Sequence, residues 1–268
     1  MRLVLSGFFV STLLAAAMPA AASDICTIVA DAKSGAVFLR EGRCAERVTP
    51  ASTFKLPLSV MAFDAGILKD QHTPSFSYQQ GDPAWGGEAW KQPTDAQRWL
   101  KYSVVWFSQR LTQRLGAETL HRYAQGFGYG NADFSGDAGK NNGLERAWIS
   151  SSLKISPDEQ VAFLKKFVNR TLPVSPQAME MTEKAAERFE LKDSWIAHGK
   201  TGMAYPRKAD WTFDEARPWG WFVGWAQKNG RTVVFAKLVQ DERKLATSPS
   251  ARARDALFET LPGLLARH

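Results

Sequence analysis

Ser52 and Lys55 stand three residues apart in a Ser-Thr-Phe-Lys segment that leads into an apolar run. Near the start of a helix, this spacing places both side chains on one face. A serine hydroxyl is a poor nucleophile until a base accepts its proton, and a lysine serves as that base only when its pKa is lowered. The apolar residues from Phe54 onward would lower it by burial. The pair predicts covalent catalysis by serine. However, Ser-x-x-Lys occurs by chance in about one chain in two of this length, so a solvated lysine remains the alternative.

Lys200-Thr201-Gly202 combines a cation, a hydroxyl and a residue without a side chain, directly before a strand-like pattern. The cation and the hydroxyl suit a ligand carboxylate. The glycine would let an amide of the ligand lie against a strand edge. A turn that ends a strand explains the tripeptide equally well.

Two weaker signals are Ser103-Val104-Val105, at a predicted helix start, and Tyr129-Gly130-Asn131, in a glycine-rich loop. Ser103 as a helix cap and the second tripeptide as a tight turn are the alternatives.

The elements that must position these residues follow from hydrophobic periodicity and turn residues. Apolar segments 27–30 and 36–39 around the turn residues 31–35 predict a β-hairpin. A helix is expected to begin at Thr49-Pro50, with Thr49 as its cap, and to stop at Gly66. Pro57 predicts a kink there, or a helix that is regular only beyond it. The other predicted elements are helices 103–115, 156–168 and 251–265, strands 196–198, 220–227 and 232–239, and a loop over 126–143.

This order of elements predicts a mixed α/β fold. Early strands pairing with late strands would form one central antiparallel sheet flanked by helices, with an inserted, mainly helical lobe. No repeat or low-complexity linker divides the chain, so residues 23–268 are predicted to form a single domain.

The first 22 residues have the features of a signal peptide. Arg2 precedes the apolar stretch 3–18, and Ala20-Ala21-Ala22 suits cleavage after Ala22 or, nearly as well, after Ser23. No later stretch approaches the roughly 18 apolar residues of a membrane span. The pattern predicts an exported, periplasmic protein with no membrane contact after cleavage.

Cys26 and Cys44 are the two cysteines of the chain and lie 18 residues apart. Export permits a disulfide between them, worth about 3 kcal/mol for a loop of this size, with two buried thiols as the alternative.

With four histidines and no His-Glu-x-x-His motif, we expect no metal site. The formal charge of +7 comes from scattered lysines and arginines, so we expect no nucleic-acid partner.

Taken together and in this order, the motifs resemble those of class D β-lactamases of the oxacillinase type, within the serine β-lactamase and penicillin-binding-protein superfamily. Trp148, Leu153-Lys154-Ile155-Ser156 and the stretch 219–225 extend the resemblance over essentially the whole mature chain. Class A enzymes carry Ser-Asp-Asn where this chain has Ser103-Val104-Val105, which favours class D.

The resemblance implies a role for each of four side chains. Ser52 would be the acylated nucleophile. Lys55 would react with carbon dioxide and serve, as an N-carboxylated lysine, as general base for acylation and deacylation. The indole N–H of Trp148 would hold the carbamate, and Ser103 would relay a proton towards the β-lactam nitrogen.

The substrate-binding residues implied by the resemblance surround these four. The backbone amides of Ser52 and Met203 would form the oxyanion hole. Arg252, or else Arg254, would add a contact to the substrate carboxylate. The remaining implied substrate contacts are Val105, Lys200, Thr201 and Gly202, with Trp85 and Trp90 either shaping the pocket or packing in a lid or core.

The predicted function is hydrolysis of the β-lactam ring of penicillins through a serine acyl-enzyme, conferring resistance. It needs no cofactor beyond the carbon dioxide or bicarbonate that modifies Lys55. The alternatives are a penicillin-binding transpeptidase or carboxypeptidase and a β-lactam sensor, neither of which turns over rapidly. A mature length of 246 residues without an anchor argues against both. Monomer and homodimer remain equally open.

Overall fold

The computed structural model describes residues 22–268, and its centre is one six-stranded sheet. The strands lie in the order β2-β1-β6-β5-β4-β3, and every neighbouring pair is antiparallel. The central antiparallel sheet is therefore confirmed. The strands are β1 Ala22–Asp31, β2 Val37–Gly42, β3 Glu187–Glu190, β4 Ile196–Ala204, β5 Trp219–Lys228 and β6 Arg231–Asp241.

The predicted hairpin is formed by β1 and β2, and a disulfide joins Cys26 to Cys44 across it. Both predictions are confirmed. The predicted signal peptide up to Ala21 lies outside the described residues, and the two candidate cleavage positions fall at the beginning of β1.

Eight α-helices of the described chain cover the sheet or build the inserted lobe. Within residues 22–268, no helix is both long and apolar enough to cross a membrane. The helices are α1 Lys55–Asp64, α2 Ala96–Tyr102, α3 Val105–Leu115, α4 Ala117–Phe127, α5 Gly143–Arg146, α6 Pro157–Val168, α7 Pro176–Ala185 and α8 Pro249–Leu265.

The helix that follows the hairpin differs from its prediction in two respects. A 3-10 turn, Ala51–Phe54, precedes α1, and the cap position belongs to Pro50, not Thr49. The Thr49 hydroxyl instead donates to the carbonyl of Trp148, so the predicted cap is wrong. The kink is also wrong: Pro57 lies in the first turn of α1, where a helix tolerates the missing N–H. Gly66 follows the end of α1, with a φ of +69°, as predicted.

Ser103 was predicted to cap α3 but lies outside that helix, between α2 and α3. Its φ of +59° places it in the left-handed region, and Val104 occupies the cap position of α3. The Ser156 cap is confirmed, because Ser156 and Glu159 form a reciprocal capping box at the start of α6. The difference is that Ser103 must connect two helices, whereas Ser156 follows an extended segment.

Apolar side chains pack on both faces of the sheet. The larger cluster joins one face to the helical lobe and includes Phe54, Trp148 and Trp221. The smaller cluster joins the opposite face to α8, through residues such as Phe222 and Leu257. The 3-10 turn and α1 are thus held between the sheet and the lobe, where they border a cleft.

Candidate active site

A cleft of about 270 Å³ opens between the 3-10 turn, the α2–α3 connection, β4 and the beginning of α8. Six of the predicted catalytic and substrate-binding residues line this cleft, together with residues from other parts of the chain. The lining consists of Ala51, Ser52, Trp85, Trp90, Ser103, Val105, Ile149, Thr201, Gly202, Met203, Ser248 and Ser250.

Ser52 and Lys55 are brought together as their spacing predicts. The Nζ atom of Lys55 lies 3.1 Å from Ser52 Oγ, within hydrogen-bond distance. Lys55 has no solvent-exposed surface, so the solvated-lysine alternative is excluded. Its burial lowers the pKa of the amine well below its ordinary value, and the positive charge of Lys200 lowers this pKa further. Both influences favour the neutral amine, the form that can accept the proton of the serine hydroxyl.

Lys200 lies on β4 and is also buried, with 4% of its surface exposed. Its ammonium donates to the carbonyl of Thr201 at 3.0 Å. Burial lowers its pKa to about 8, against the opposing influence of the negative charge of Glu187. Near neutral pH this lysine still carries a positive charge beside the cleft.

The Lys200-Thr201-Gly202 segment is part of a strand and not a turn. Strand β3 pairs with β4 only as far as Gly199, so the sheet gives the following residues of β4 a partner on the β5 side alone. The 3-10 turn approaches this part of β4 closely. A Cβ atom at Gly202 would lie 3.0 Å from the carbonyl oxygen of Pro50 and 3.1 Å from the amide nitrogen of Ser52. The close approach of the two backbones favours glycine at this position, because a larger residue would need the 3-10 turn to shift by a few tenths of an ångström.

Ser103 and Val105 reach the cleft from the α2–α3 connection. The left-handed backbone of Ser103 turns the chain between the two helices at the cleft wall. Val105, in the first turn of α3, is nearly buried and supplies an apolar surface there. Both residues face the same opening as Ser52, as predicted.

Trp148 lies behind the nucleophile. Its ring is 1% exposed and stacks on Phe54, the residue before Lys55, with 5.4 Å between ring centroids. Its indole N–H is buried and has no hydrogen-bond partner among residues 22–268. A buried donor without a partner is costly, so this N–H suits an acceptor brought by a ligand or a modification.

Comparison with known proteins matches this arrangement to a family. A model of the penicillin-binding protein transpeptidase domain matches residues 25–261. Beta-lactamase OXA-9 of Klebsiella pneumoniae is 44% identical over 241 residues, which are 90% of this chain and 88% of the relative. The protein in the crystal structure of the class D β-lactamase OXA-427 has 44% sequence identity to this chain. The two structures superimpose with a TM-score of 0.84, over 90% of this chain and 98% of that one. This chain belongs to the class D serine β-lactamases.

Beta-lactamase OXA-1 of Escherichia coli is a further relative, 40% identical over 213 residues that cover 78% of this chain and 74% of the relative. The family resemblance and the predicted fold are thus confirmed. The cleft that Ser52 lines is the candidate active site of this enzyme.

Two tryptophans of the β-lactamase meet at the cleft mouth, with 5.4 Å between their ring centroids. Trp90 is buried, and its indole N–H donates to the carbonyl of Tyr102 at 2.8 Å. Trp85 is 67% exposed. Both tryptophans line the cleft, so they shape the pocket. Trp90 also packs in the core, whereas Trp85 forms an exposed rim.

Arg252 lies on α8, and its guanidinium pairs with the buried carboxylate of Asp241 and with the carbonyl of Thr247. It does not line the cleft of the described chain. Arg254 pairs with Asp255 on the same helix and does not line it either. A contact of either arginine with the substrate remains a prediction.

Sequence reasoning missed four residues of the cleft, namely Ala51, Ile149, Ser248 and Ser250. Ser248-Pro249 is a recognisable helix start, and Ser248 does cap α8. Ile149 follows Trp148 directly, but nothing in the sequence shows which way its side chain points.

Tyr129-Gly130-Asn131 does not reach the cleft. The Tyr129 hydroxyl is buried 3.4 Å from the amide nitrogen of Gln160, which also donates to Thr53. Burial raises the pKa of Tyr129, so it remains neutral. Of the tripeptide, Tyr129 packs against Phe54 of the 3-10 turn, with 6.0 Å between ring centroids.

Proposed function

We propose that this class D β-lactamase hydrolyses penicillin-type antibiotics through an acyl-enzyme on Ser52. The observation that carries the proposal is the 3.1 Å approach of a fully buried lysine amine to a cleft serine. Burial lowers the pKa of the amine and so favours its neutral form, and the cleft gives a ring-sized substrate access to the hydroxyl.

Lys55 and its surroundings fit the carboxylated lysine that the class uses. A neutral amine adds to the carbon of carbon dioxide, which forms one N–C bond and releases one proton. Lowering of the Lys55 pKa by burial supplies the neutral amine. The unpartnered indole N–H of Trp148 is a donor only and matches an anionic oxygen. Once formed, this carboxylate would supply the general base for acylation and for deacylation by water.

The other residues act on the substrate as follows. Ser52 Oγ bonds to the β-lactam carbonyl carbon, and the backbone amides of Ser52 and Met203 stabilise the oxyanion, each donor contributing about 3 kcal/mol. The ring C–N bond then breaks, and the nitrogen receives a proton through Ser103. Thr201, in the cleft lining, and Lys200, buried directly before it, would hold the carboxylate of the drug.

We further propose that the enzyme acts in the periplasm on small-molecule β-lactams and thereby confers resistance. The apolar N-terminal segment and the disulfide support export into an oxidising compartment.

The decisive test is nitrocefin hydrolysis by purified residues 23–268 at neutral pH, with and without added bicarbonate. Rapid turnover that increases with bicarbonate supports both the activity and the carboxylated Lys55. A single stoichiometric burst without turnover contradicts the proposal and favours a sensor or a transpeptidase.

Replacing the proposed base gives a second test. Lys55→Ala should leave at most slow acylation that stalls, which mass spectrometry detects as a persistent adduct on Ser52. Lys154→Ala, at a lysine outside the cleft, should retain normal turnover as the control. Near-normal turnover of Lys55→Ala would exclude the mechanism.

A further inference from the structure

Thr49 is a polar residue with 3% of its surface exposed, and it lies immediately before the proline that opens the nucleophile turn. Its hydroxyl makes two hydrogen bonds to a segment about one hundred residues further along the chain. It donates to the carbonyl of Trp148 at 2.8 Å and accepts from the amide of Ser150 at 3.1 Å. A single buried hydroxyl therefore connects the backbone on both sides of Ile149.

The segment held in this way has a backbone that does not form unaided. Ser150 has a φ of +54°, in the left-handed region that residues with a side chain adopt only at a cost. Besides the Thr49 hydroxyl, the Arg207 guanidinium holds it by donating to the Ser150 carbonyl at 3.1 Å. A strained backbone conformation persists only when surrounding contacts hold it, and these two hydrogen bonds hold the conformation of Ser150.

Thr49 is itself held by the sheet. The indole N–H of Trp221, on β5, donates to the Thr49 carbonyl at 2.9 Å, and the neighbouring Val48 pairs with Ile155 through two backbone hydrogen bonds. The position of Thr49 is therefore fixed by the sheet. Through the hydroxyl of Thr49, the Trp148 backbone is held against the sheet and, through Pro50, against the 3-10 turn that carries Ser52.

We infer that Thr49 is a positioning residue for carboxylation of Lys55, because its hydroxyl holds the backbone that aims the indole N–H of Trp148 at the carbamate. This inference rests on the proposed function, in which Lys55 is carboxylated. Thr49 touches neither substrate nor carbamate. By orienting Trp148, Thr49 would change how strongly Lys55 retains carbon dioxide. An outer hydrogen-bond partner that orients a metal ligand changes metal affinity in the same way.

The test measures carboxylation directly, without substrate. Protein equilibrated with ¹³C-labelled bicarbonate is followed by the ¹³C carbamate signal, and the bicarbonate concentration that gives half of the maximal signal is determined. In Thr49→Val, which is similar in size but lacks the hydroxyl, this concentration should rise roughly tenfold. Thr49→Ser restores the hydroxyl and should lie within about twofold of the unaltered enzyme.

Thr27→Val is the matched control. Thr27 is also a buried threonine whose hydroxyl is hydrogen-bonded, to Lys237, but it lies on β1, with β6 and β5 between it and β4. Thermal melting of both valine variants reports the general loss of stability. The inference requires that only Thr49→Val changes the carbamate titration.

If Thr49→Val does not fold, Thr49→Ala removes the hydroxyl without placing a methyl group against the Trp148 carbonyl, and the same roughly tenfold rise is expected. A carbamate titration of the folded Thr49 variant equal to that of the unaltered enzyme overturns the inference but leaves the proposed function intact. Absence of any carbamate signal in the unaltered enzyme overturns the carboxylated lysine and this inference together.

Discussion

Lys55 and Lys200 lie close enough for the charge of Lys200 to lower the pKa of Lys55, although 145 positions of sequence separate them. Both amines are buried, and burial is the main reason why each loses its proton more readily than a lysine in water. Lys200 keeps a pKa of about 8, so it still carries a positive charge near neutral pH. The fold therefore favours the neutral amine at Lys55, beside Ser52, and a charged amine at Lys200, next to Thr201 in the cleft lining.

Acidification should remove activity through Lys55. Burial and the charge of Lys200 lower its pKa, so the amine is protonated only as the pH falls through that lowered pKa, and the protonated amine cannot add carbon dioxide. At a fixed low bicarbonate concentration, turnover should therefore fall as the solution is acidified, and saturating bicarbonate should shift that decline to lower pH. The measurement is nitrocefin turnover against pH at two bicarbonate concentrations. Identical profiles would argue against carboxylation.

Replacing the indole of Trp148 should weaken retention of carbon dioxide. Trp148→Phe keeps the stacking on Phe54 but removes the N–H, so the half-saturating bicarbonate concentration should rise about tenfold or more. Trp225→Phe is the control, since Trp225 on β5 also has a buried indole N–H without a partner in the described chain. Equal effects of the two substitutions on bicarbonate dependence would contradict the role of Trp148.

The charge of Lys200 predicts a decline of kcat/KM on the alkaline side. As the pH rises through about 8, Lys200 loses its proton and with it the attraction for the substrate carboxylate. kcat/KM for a penicillin should therefore decrease above this pH. A penicillin whose carboxylate is blocked as a methyl ester is the control and should show no such decrease. The same alkaline limb for both substrates would place the titrating group elsewhere.

Removing Arg252 should affect stability first. Its partner Asp241 is 1% exposed, so Arg252→Ala leaves an unpaired buried carboxylate and should cost roughly 3 kcal/mol or more in the free energy of unfolding. Arg254→Ala removes a partly exposed pair with Asp255 and a distant contact with the Phe189 ring, and should cost less than about 1 kcal/mol. Urea unfolding measures both.

A substrate role for Arg252 is tested separately in the double variant Asp241→Asn, Arg252→Gln, which leaves no buried charge. An increased KM for penicillins in this folded variant supports the predicted carboxylate contact. An unchanged KM would mean that Arg252 has a structural role only, in which its pair with Asp241 joins α8 to the end of β6.

Several elements of the fold could be read directly from the sequence because their signals are local. The capping box of Ser156 and Glu159 lies within one helical turn, and the cysteines flank a single hairpin. Strand β3 was missed because it is four residues long and carries charged side chains on its exposed face. The prediction that Thr49 caps the helix was wrong because the Thr-Pro pattern does not show where the threonine hydroxyl bonds. In the folded chain it donates to the distant carbonyl of Trp148.

Residue types and spacing were enough to identify the Ser52–Lys55 pair, the order of the motifs and the family. Ser52 and Lys55 are one turn apart, so their approach depends on local geometry alone. The surroundings of the pair could be seen only in the folded chain: the burial of Lys55 and Lys200, the unpartnered N–H of Trp148 and the partner of Arg252. Each depends on contacts between distant segments, such as the bond from Thr49 to Trp148 across 99 positions. Desolvation and hydrogen bonding arise only when those segments pack together.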